Sequence, residues 1–271
     1  MSGQSAIRNP QSAIFFDTHA HLADEHLLAN AAEVIDRAAR AGVTRILSVG
    51  TEVASTRACI DLAAAHAGVF ASAGIHPNHV SEAQAADWDQ IVRLAQSPEV
   101  VALGETGLDL YWKDTPLADQ QDYFDRHIRL SQETGLPLVI HQRESSDEIL
   151  AMLREARKRG ELAGVMHSFT GTSEQAAEFL ALGLCISFAG MVTFKKSDDL
   201  RAAARTIPAE RLLMETDSPY LSPEPFRGKR PNEPARVVHT AECLARERGV
   251  PLAELAVQTT ANALALFNRA K

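Results

Sequence analysis

Residues Gly135 to Gly171 read GLPLVIHQRESSDEILAMLREARKRGELAGVMHSFTG, and this stretch decides the fold. Leu136–Ile140 is a short, β-branched apolar run that leads into His141. Ser145–Arg159 then spaces its apolar residues as a helix does, and Gly160 stops it. Gly164–Met166 is a second apolar run and leads into His167. Neither run alternates apolar with polar residues, the pattern of parallel strands buried on both faces. Strand, helix and strand, with an imidazole after each strand, make one unit of a strand–helix repeat.

The unit recurs in both directions. Towards the amino terminus the strand candidates are Ile14–Asp17, Arg45–Gly50, Val69–Gly74 and Val100–Gly104. Towards the carboxyl terminus they are Leu184–Phe188 and Arg211–Glu215. Helical patterns fall between them at Leu27–Ala41, Thr56–Ala67, Ala118–Thr134, Ser173–Leu182 and Ser197–Arg205. Strand ends lie about 29 residues apart, the length of one strand–helix repeat. Eight such units in 271 residues predict an α/β fold, a single (β/α)8 TIM barrel, with Ala235–Arg248 and Leu252–Asn268 as extra C-terminal helices. A doubly wound open sheet is the alternative, but no GxGxxG follows the first strand. No linker divides the chain, so one domain is expected over residues 13–271, after a loose polar tail at residues 1–12.

Composition narrows the class. Hydrophobic content of 45% and charged content of 23% exclude wholesale disorder and coiled coil. The net charge of −8 excludes an overall basic coat of the kind many nucleic-acid binders carry. Cys59, Cys185 and Cys243 are scattered with no CxxC pair, which reads as reduced thiols. With no signal-peptide pattern and no long apolar run, a cytoplasmic protein without a membrane span is expected.

A barrel of this kind carries its chemistry at the carboxyl ends of its strands, and the ten histidines divide on that rule. His19, His21, His76, His141 and His167 fall at or just beyond strand ends. His26, His66, His79, His127 and His239 fall on helices or loops, where a solvated or capping role is expected. Glu105 and Asp217 join the first group on the fourth and eighth strands. In Asp17-Thr18-His19-Ala20-His21, residues two apart on a strand face one side, so both histidines can reach one ion. Asp17 is open between ligation and a buried supporting role, and Asp109 reads more readily as a turn cap than as a ligand. An inward carboxylate at Glu105 requires a cation or a strong donor, and its two oxygens can bridge two ions. Four imidazoles and two carboxylates without a thiolate suit Zn²⁺, Mn²⁺, Fe²⁺ or Ni²⁺ and leave Mg²⁺ open. Two ions can activate a water for phosphoryl displacement, with Asp217 taking its proton.

Several runs stand in a distinctive order: DTHAHL from Asp17, GIHP from Gly74, GETGLD from Gly104, IHQR from Ile140, HSFTG from His167 and ETDSPYL from Glu215. Together with RGK at Arg227 and NEP at Asn232, they closely resemble the TatD family of metal-dependent hydrolases and deoxyribonucleases. The resemblance covers nearly the whole chain and implies an amidohydrolase-like barrel with a two-metal site. It implies that His19, His21 and Asp217 hold one ion, that His141 and His167 hold the other, and that Glu105 bridges them. Some wider amidohydrolase relatives use a carbamylated Lys at the bridging position; Glu105 there points to the nuclease-like branch. His76 would contact substrate phosphate above the metals, and Arg143 would supply a cation for phosphate or transition state. Two departures stand out: Glu144-Ser145 replaces the acidic-Ala pair common in the family, and Pro231 is an extra proline in the RGK–NEP segment.

The resulting expectation is a 3′–5′ exodeoxyribonuclease with Glu105 and Asp217 as catalytic carboxylates. It would carry two divalent ions per chain (Mg, Mn, Zn or Ni) and act on DNA, single-stranded or at 3′ ends, as a monomer or weak oligomer. Lys195, Lys196, Arg227, Lys229 and Arg230 could guide the backbone, and Phe194, Tyr111 and Trp112 could stack on bases. The alternatives are a hydrolase of the same fold acting on an ester, lactone or aminoacyl linkage, and a non-catalytic quality-control protein that keeps the old site.

Overall fold

The computed structural model describes residues 13–270, so the expected tail at residues 1–12 lies outside the described residues. Eight parallel strands form one sheet in sequence order: β1 (Phe15–Ala20), β2 (Val43–Ser48), β3 (Val69–Ala73), β4 (Val100–Asp109), β5 (Leu138–Arg143), β6 (Gly164–Met166), β7 (Cys185–Phe188) and β8 (Leu212–Met214). The ring closes between the first and last strands. His21 N–H donates to the Ser218 carbonyl at 2.7 Å, and Asp217 N–H donates to the His19 carbonyl at 2.9 Å. This is the expected (β/α)8 barrel.

Helices fill the intervals: α1 (Glu25–Leu28), α2 (Ala31–Arg40), α3 (Val53–Ala65), α4 (Asp87–Leu94), α5 (Leu117–Thr134), α6 (Ser146–Arg157), α7 (Ser173–Ala181) and α8 (Asp198–Thr206). The closing pair is α9 (Val237–Arg248) and α10 (Leu252–Leu266). No described helix is long and apolar enough to cross a membrane. All three cysteines are free and buried.

Alternation along the strands sorts the core into two clusters. Phe16, Leu47, Val101, Val139, Val165, Cys185 and Leu213, one from each of seven strands, pack together with Ala263 and Phe267 of the carboxyl-terminal region. They fill the barrel interior, as layered side chains do in this architecture. Phe267 lies 5.9 Å from Phe16, ring centre to ring centre, so the chain after α10 seals the interior beside β1. Residues of opposite parity, such as Phe15, Ile46, Val100, Leu138 and Ile186, pack outward among the helices. The same alternation positions the site. His141 comes two residues after Val139, His167 two after Val165, and Glu215 two after Leu213, so each continues an inward-facing row.

Three local expectations need correction. The helix expected over Leu27–Ala41 is two helices, because the chain breaks at Ala29-Asn30, where Asn30 N–H turns back to the Leu27 carbonyl at 3.0 Å. Helix α4 was not among the expected segments; it is short, and its apolar face is confined to Ile91 and its partly buried neighbours Trp88 and Val92. The fourth strand does not stop at Gly104 but pairs with β5 as far as Asp109 opposite Arg143. Gly107, with φ of +133°, makes that possible. A Cβ there would lie 2.1 Å from the His141 carbonyl oxygen, so only glycine admits so close an approach. Gly107 is thus the means of joining two strands that carry candidate ligands.

Candidate metal centre

Glu105 stands at the centre of the mouth, 3% exposed, and its two oxygens face different partners. Oε2 lies 3.3 Å from His19 Nε2 and 3.6 Å from His21 Nε2. Oε1 lies 2.8 Å from His167 Nε2 and 3.0 Å from His141 Nδ1. Asp217 Oδ1 completes the first group at 3.3 Å from His21 Nε2 and 3.7 Å from His19 Nε2. All six residues read from the sequence as candidate ligands are thus brought together. The register shift in β1 between Asp17 and Ala20 turns His19 and His21 into the barrel although Phe16 also points inward.

The donor set fits divalent ions on two grounds. His19 Nε2 and His21 Nε2 lie only 3.2 Å apart, and each is within 3.3–3.7 Å of both Asp217 Oδ1 and Glu105 Oε2. The three donor atoms of His19, His21 and Asp217 form a triangle with edges of 3.2–3.7 Å, small enough for all three to reach one ion at the length of a metal bond to nitrogen or oxygen. The second ground is the direction of the lone pairs. His141 donates from Nε2 to Asp109 Oδ2 at 3.0 Å, and His167 donates from Nδ1 to Glu215 Oε1 at 3.2 Å. Each ring therefore turns its other nitrogen, the lone-pair side of the neutral ring, at the same carboxylate oxygen, and a cation between them relieves that repulsion.

With only protons to share, the histidines carry the compensating charge. Burial opposes charging His167, but Glu105 overrides it and raises the ring's pKa well above the usual value. Burial alone would raise Glu105, yet the surrounding imidazoles, His167 foremost, hold its carboxyl well below the usual range. An ion would take over this role from the protons.

His76 behaves differently. Its Nδ1 accepts the Asn78 N–H at 3.1 Å, so the neutral ring carries its proton on Nε2, 3.3 Å from Glu105 Oε1. Burial lowers its pKa to about 4, which keeps the ring neutral near pH 7. It therefore offers an N–H to the mouth in place of a lone pair, although it lies close enough to Glu105 and His141 to form a third candidate cluster.

Supporting groups were largely hidden in the sequence. Glu215 is fully buried and accepts both His167 Nδ1 and the Ser168 N–H at 2.6 Å; its one signal is its place two residues before Asp217. Asp109 caps its own loop, as expected, and also orients His141. Asp17 is outside the clusters. It accepts Thr216 Oγ1 at 2.6 Å and Thr216 N–H at 2.9 Å, tying β1 to the Asp217 segment, and burial raises its carboxyl to about 8. Asn232 of the NEP run is buried and donates to the Thr216 carbonyl at 3.1 Å, so that run braces the same segment. His127 corrects the expectation of a solvated ring: it is fully buried, donates from Nδ1 to the Tyr123 carbonyl, and accepts Ile75 N–H, next to His76.

Around the rim, the exposed Arg143 guanidinium lies 3.8 Å above the Tyr111 ring, and Arg227 lies 4.2 Å above Phe194. Tyr220 packs its edge against His21 and donates to Asp24 Oδ2 at 3.2 Å.

An eight-stranded parallel barrel whose mouth gathers four imidazoles and two carboxylates is the arrangement of a metal-dependent hydrolase. The family model described as TatD related DNase matches residues 16–268, and the chain belongs to that family. It is 41% identical over 255 residues to the uncharacterized metal-dependent hydrolase YcfH of Escherichia coli (strain K12), spanning 93% of this chain and 95% of that protein. It is 36% identical to the 3′-5′ ssDNA/RNA exonuclease TatD of Erwinia tasmaniensis, spanning 93% of this chain and 99% of that protein. The crystal structure of YJJV, a TatD homologue from Escherichia coli K12, matches with a TM-score of 0.88 at 30% identity, covering 94% of this chain and 98% of that one. This chain is a TatD-type metal-dependent hydrolase.

Proposed function

We propose that this hydrolase is a 3′–5′ exonuclease of single-stranded DNA that works with two divalent ions. The observation that carries the proposal is the division of Glu105, whose Oε2 faces His19 and His21 while Oε1 faces His141 and His167. One carboxylate between two separate ligand groups is the arrangement of a bridged pair. His19, His21 and Asp217 would hold one ion, and His141 and His167 the other. The Erwinia relative's name as an exonuclease supports the choice of bond and polarity.

The ions would supply Lewis acidity towards the phosphoryl oxygens and the attacking water. The chain's own groups do the rest. Asp217, with Oδ1 engaged by His21, keeps Oδ2 to accept the water's proton. His76 donates its Nε2–H to a non-bridging phosphoryl oxygen, a bond that strengthens as charge develops there. Arg143 attracts the backbone of the strand from the rim. Asp109 and Glu215 keep His141 and His167 in the tautomers that face the centre.

The test is a panel of 5′-labelled single-stranded DNA, duplex DNA and RNA, each with Mg²⁺, Mn²⁺, Zn²⁺ and Ni²⁺. The expected result is stepwise shortening of single-stranded DNA from its 3′ end, lost by about a hundredfold or more in Asp217→Asn with its fold intact. No release from any nucleic acid with any of these ions would reject the nuclease assignment and leave a small ester or lactone as the substrate to seek.

A further inference from the structure

Among the described residues, three aromatic side chains are exposed: Tyr111, Trp112 and Tyr220. All three stand just beyond the carboxyl ends of strands, two after β4 and one after β8. In a ring ordered β1 to β8, those strands are on opposite sides. The aromatics therefore flank the mouth that holds Glu105 and Asp217. Exposed aromatics gathered beside a candidate site are a common mark of a binding surface, because their faces can pack against a ligand.

The β4 side is the more developed. The Tyr111 and Trp112 rings meet edge to face at 5.0 Å, and Arg143 lies over Tyr111 at 3.8 Å and within 5.7 Å of Trp112. Their backbone is anchored, because the N–H groups of Tyr111 and Trp112 both donate to Asp109 Oδ1, at 2.9 and 3.1 Å. The other oxygen of Asp109 accepts the His141 Nε2–H at 3.0 Å. One carboxylate thus sets the position of the aromatic shelf and of a candidate metal ligand together. Such a link is expected where a substrate spans both.

The geometry points to a nucleobase-stacking subsite formed by Tyr111, Trp112 and Arg143. It takes the base of a single-stranded nucleic acid whose phosphate lies at the metal centre. The inference rests on the nuclease reading above. An indole or phenol face stacks on any base, and a guanidinium plane packed beside it both stacks and offsets backbone charge. A base can lie flat on the shelf only when it is free of a duplex, so the subsite selects for single strands. It also reconciles a chain of net charge −8 with a polyanionic substrate, because the grip is local and part of it is uncharged.

The chain has two tryptophans, and Trp88 packs on Tyr123 and His127 of α5. A Trp88→Phe background therefore leaves Trp112 as the one indole. The metal-loaded protein is titrated with phosphorothioate-linked oligothymidylate and with an abasic phosphorothioate chain of equal length, while the same preparation is assayed for hydrolysis of ordinary single-stranded DNA. The expected result is quenching of Trp112 by the base-bearing strand and at least about tenfold weaker binding of the abasic one. With binding read by anisotropy of 5′-labelled strands, Trp112→Ala should bring both strands to the abasic affinity, and Trp112→Phe should restore most of the difference. Hydrolysis of DNA with no quenching and equal binding of the two chains would overturn the shelf while sparing the nuclease reading. Base-dependent quenching without hydrolysis would sink the nuclease reading and keep the subsite. Neither hydrolysis nor base-dependent binding would overturn both.

Discussion

Replacing Glu215 by glutamine tests whether a residue that touches no substrate sets the strength of the second metal position. In the structure Glu215 Oε1 accepts His167 Nδ1–H at 3.2 Å and the Ser168 N–H at 2.6 Å, while His167 Nε2 faces Glu105 Oε1 at 2.8 Å. Glutamine preserves the shape and can still accept, but it removes the negative charge behind the imidazole. A hydrogen bond to a charged acceptor is worth about 1.5–3 kcal/mol, against about 0.5–1.5 kcal/mol for a neutral one. The loss at His167 is then about 1–2 kcal/mol, or roughly 5- to 30-fold in ion affinity, overlapping the range of about 10- to 100-fold seen for such supporting groups. Calorimetric titration of chelator-stripped protein with Mn²⁺ measures it. One of two binding steps should weaken by that factor while the step at His19, His21 and Asp217 is unchanged, and saturating metal should restore kcat. Glu215→Gln with both steps as tight as the parent would refute the reasoning, since the carboxylate would then hold only the Ser168 turn.

Three further outcomes are expected. His127 is buried as the neutral ring with a pKa near 4, below the ordinary value of 6.5. Its depressed pKa means stability is full above pH 6.5 and falls as pH drops towards 4, by up to about 3 kcal/mol; urea melts from pH 7 to 4.5 should show a shallower decline in His127→Gln than in the parent. Gly107→Ala puts a Cβ 2.1 Å from a carbonyl oxygen at φ of +133° and should cost upwards of about 3 kcal/mol or leave the chain insoluble, read by thermal melting. Removing metal with a chelator should abolish hydrolysis and lower Tm, and re-adding ions at a hundred times their Kd should return about 2.7 kcal/mol of stability.

Much of the fold is written in local pattern. Unbroken apolar runs, helical spacing between them and glycines such as Gly42 and Gly135 after helices show the repeat without any tertiary knowledge. Where local pattern misled, tertiary pairing prevailed. Gly104 looks like the end of a strand, yet β4 continues past it to Asp109 because β5 lies alongside to pair with its backbone. Asn30 interrupts a run of helix-forming residues that periodicity alone reads as continuous.

The candidate ligands could be named because their chemistry is carried by residue type at a predictable place: imidazole or carboxylate at the carboxyl end of a strand. Their supporting residues could not. Glu215 is a glutamate before a threonine until β6 and β8 bring it beneath His167, across 48 positions of sequence. Asp109 is a turn cap until β5 carries His141 to its second oxygen. The histidine at position 76 could have offered a lone pair or a proton, and the backbone N–H of Asn78 decides for the proton. The sequence by itself determined the barrel and the kinds of atoms at its mouth, because apolar periodicity and side-chain chemistry are local properties. Only the tertiary structure decided which way each ring faces, which carboxylate divides its oxygens and which aromatics are left exposed. Those depend on hydrogen-bond partners that meet only once the barrel has closed.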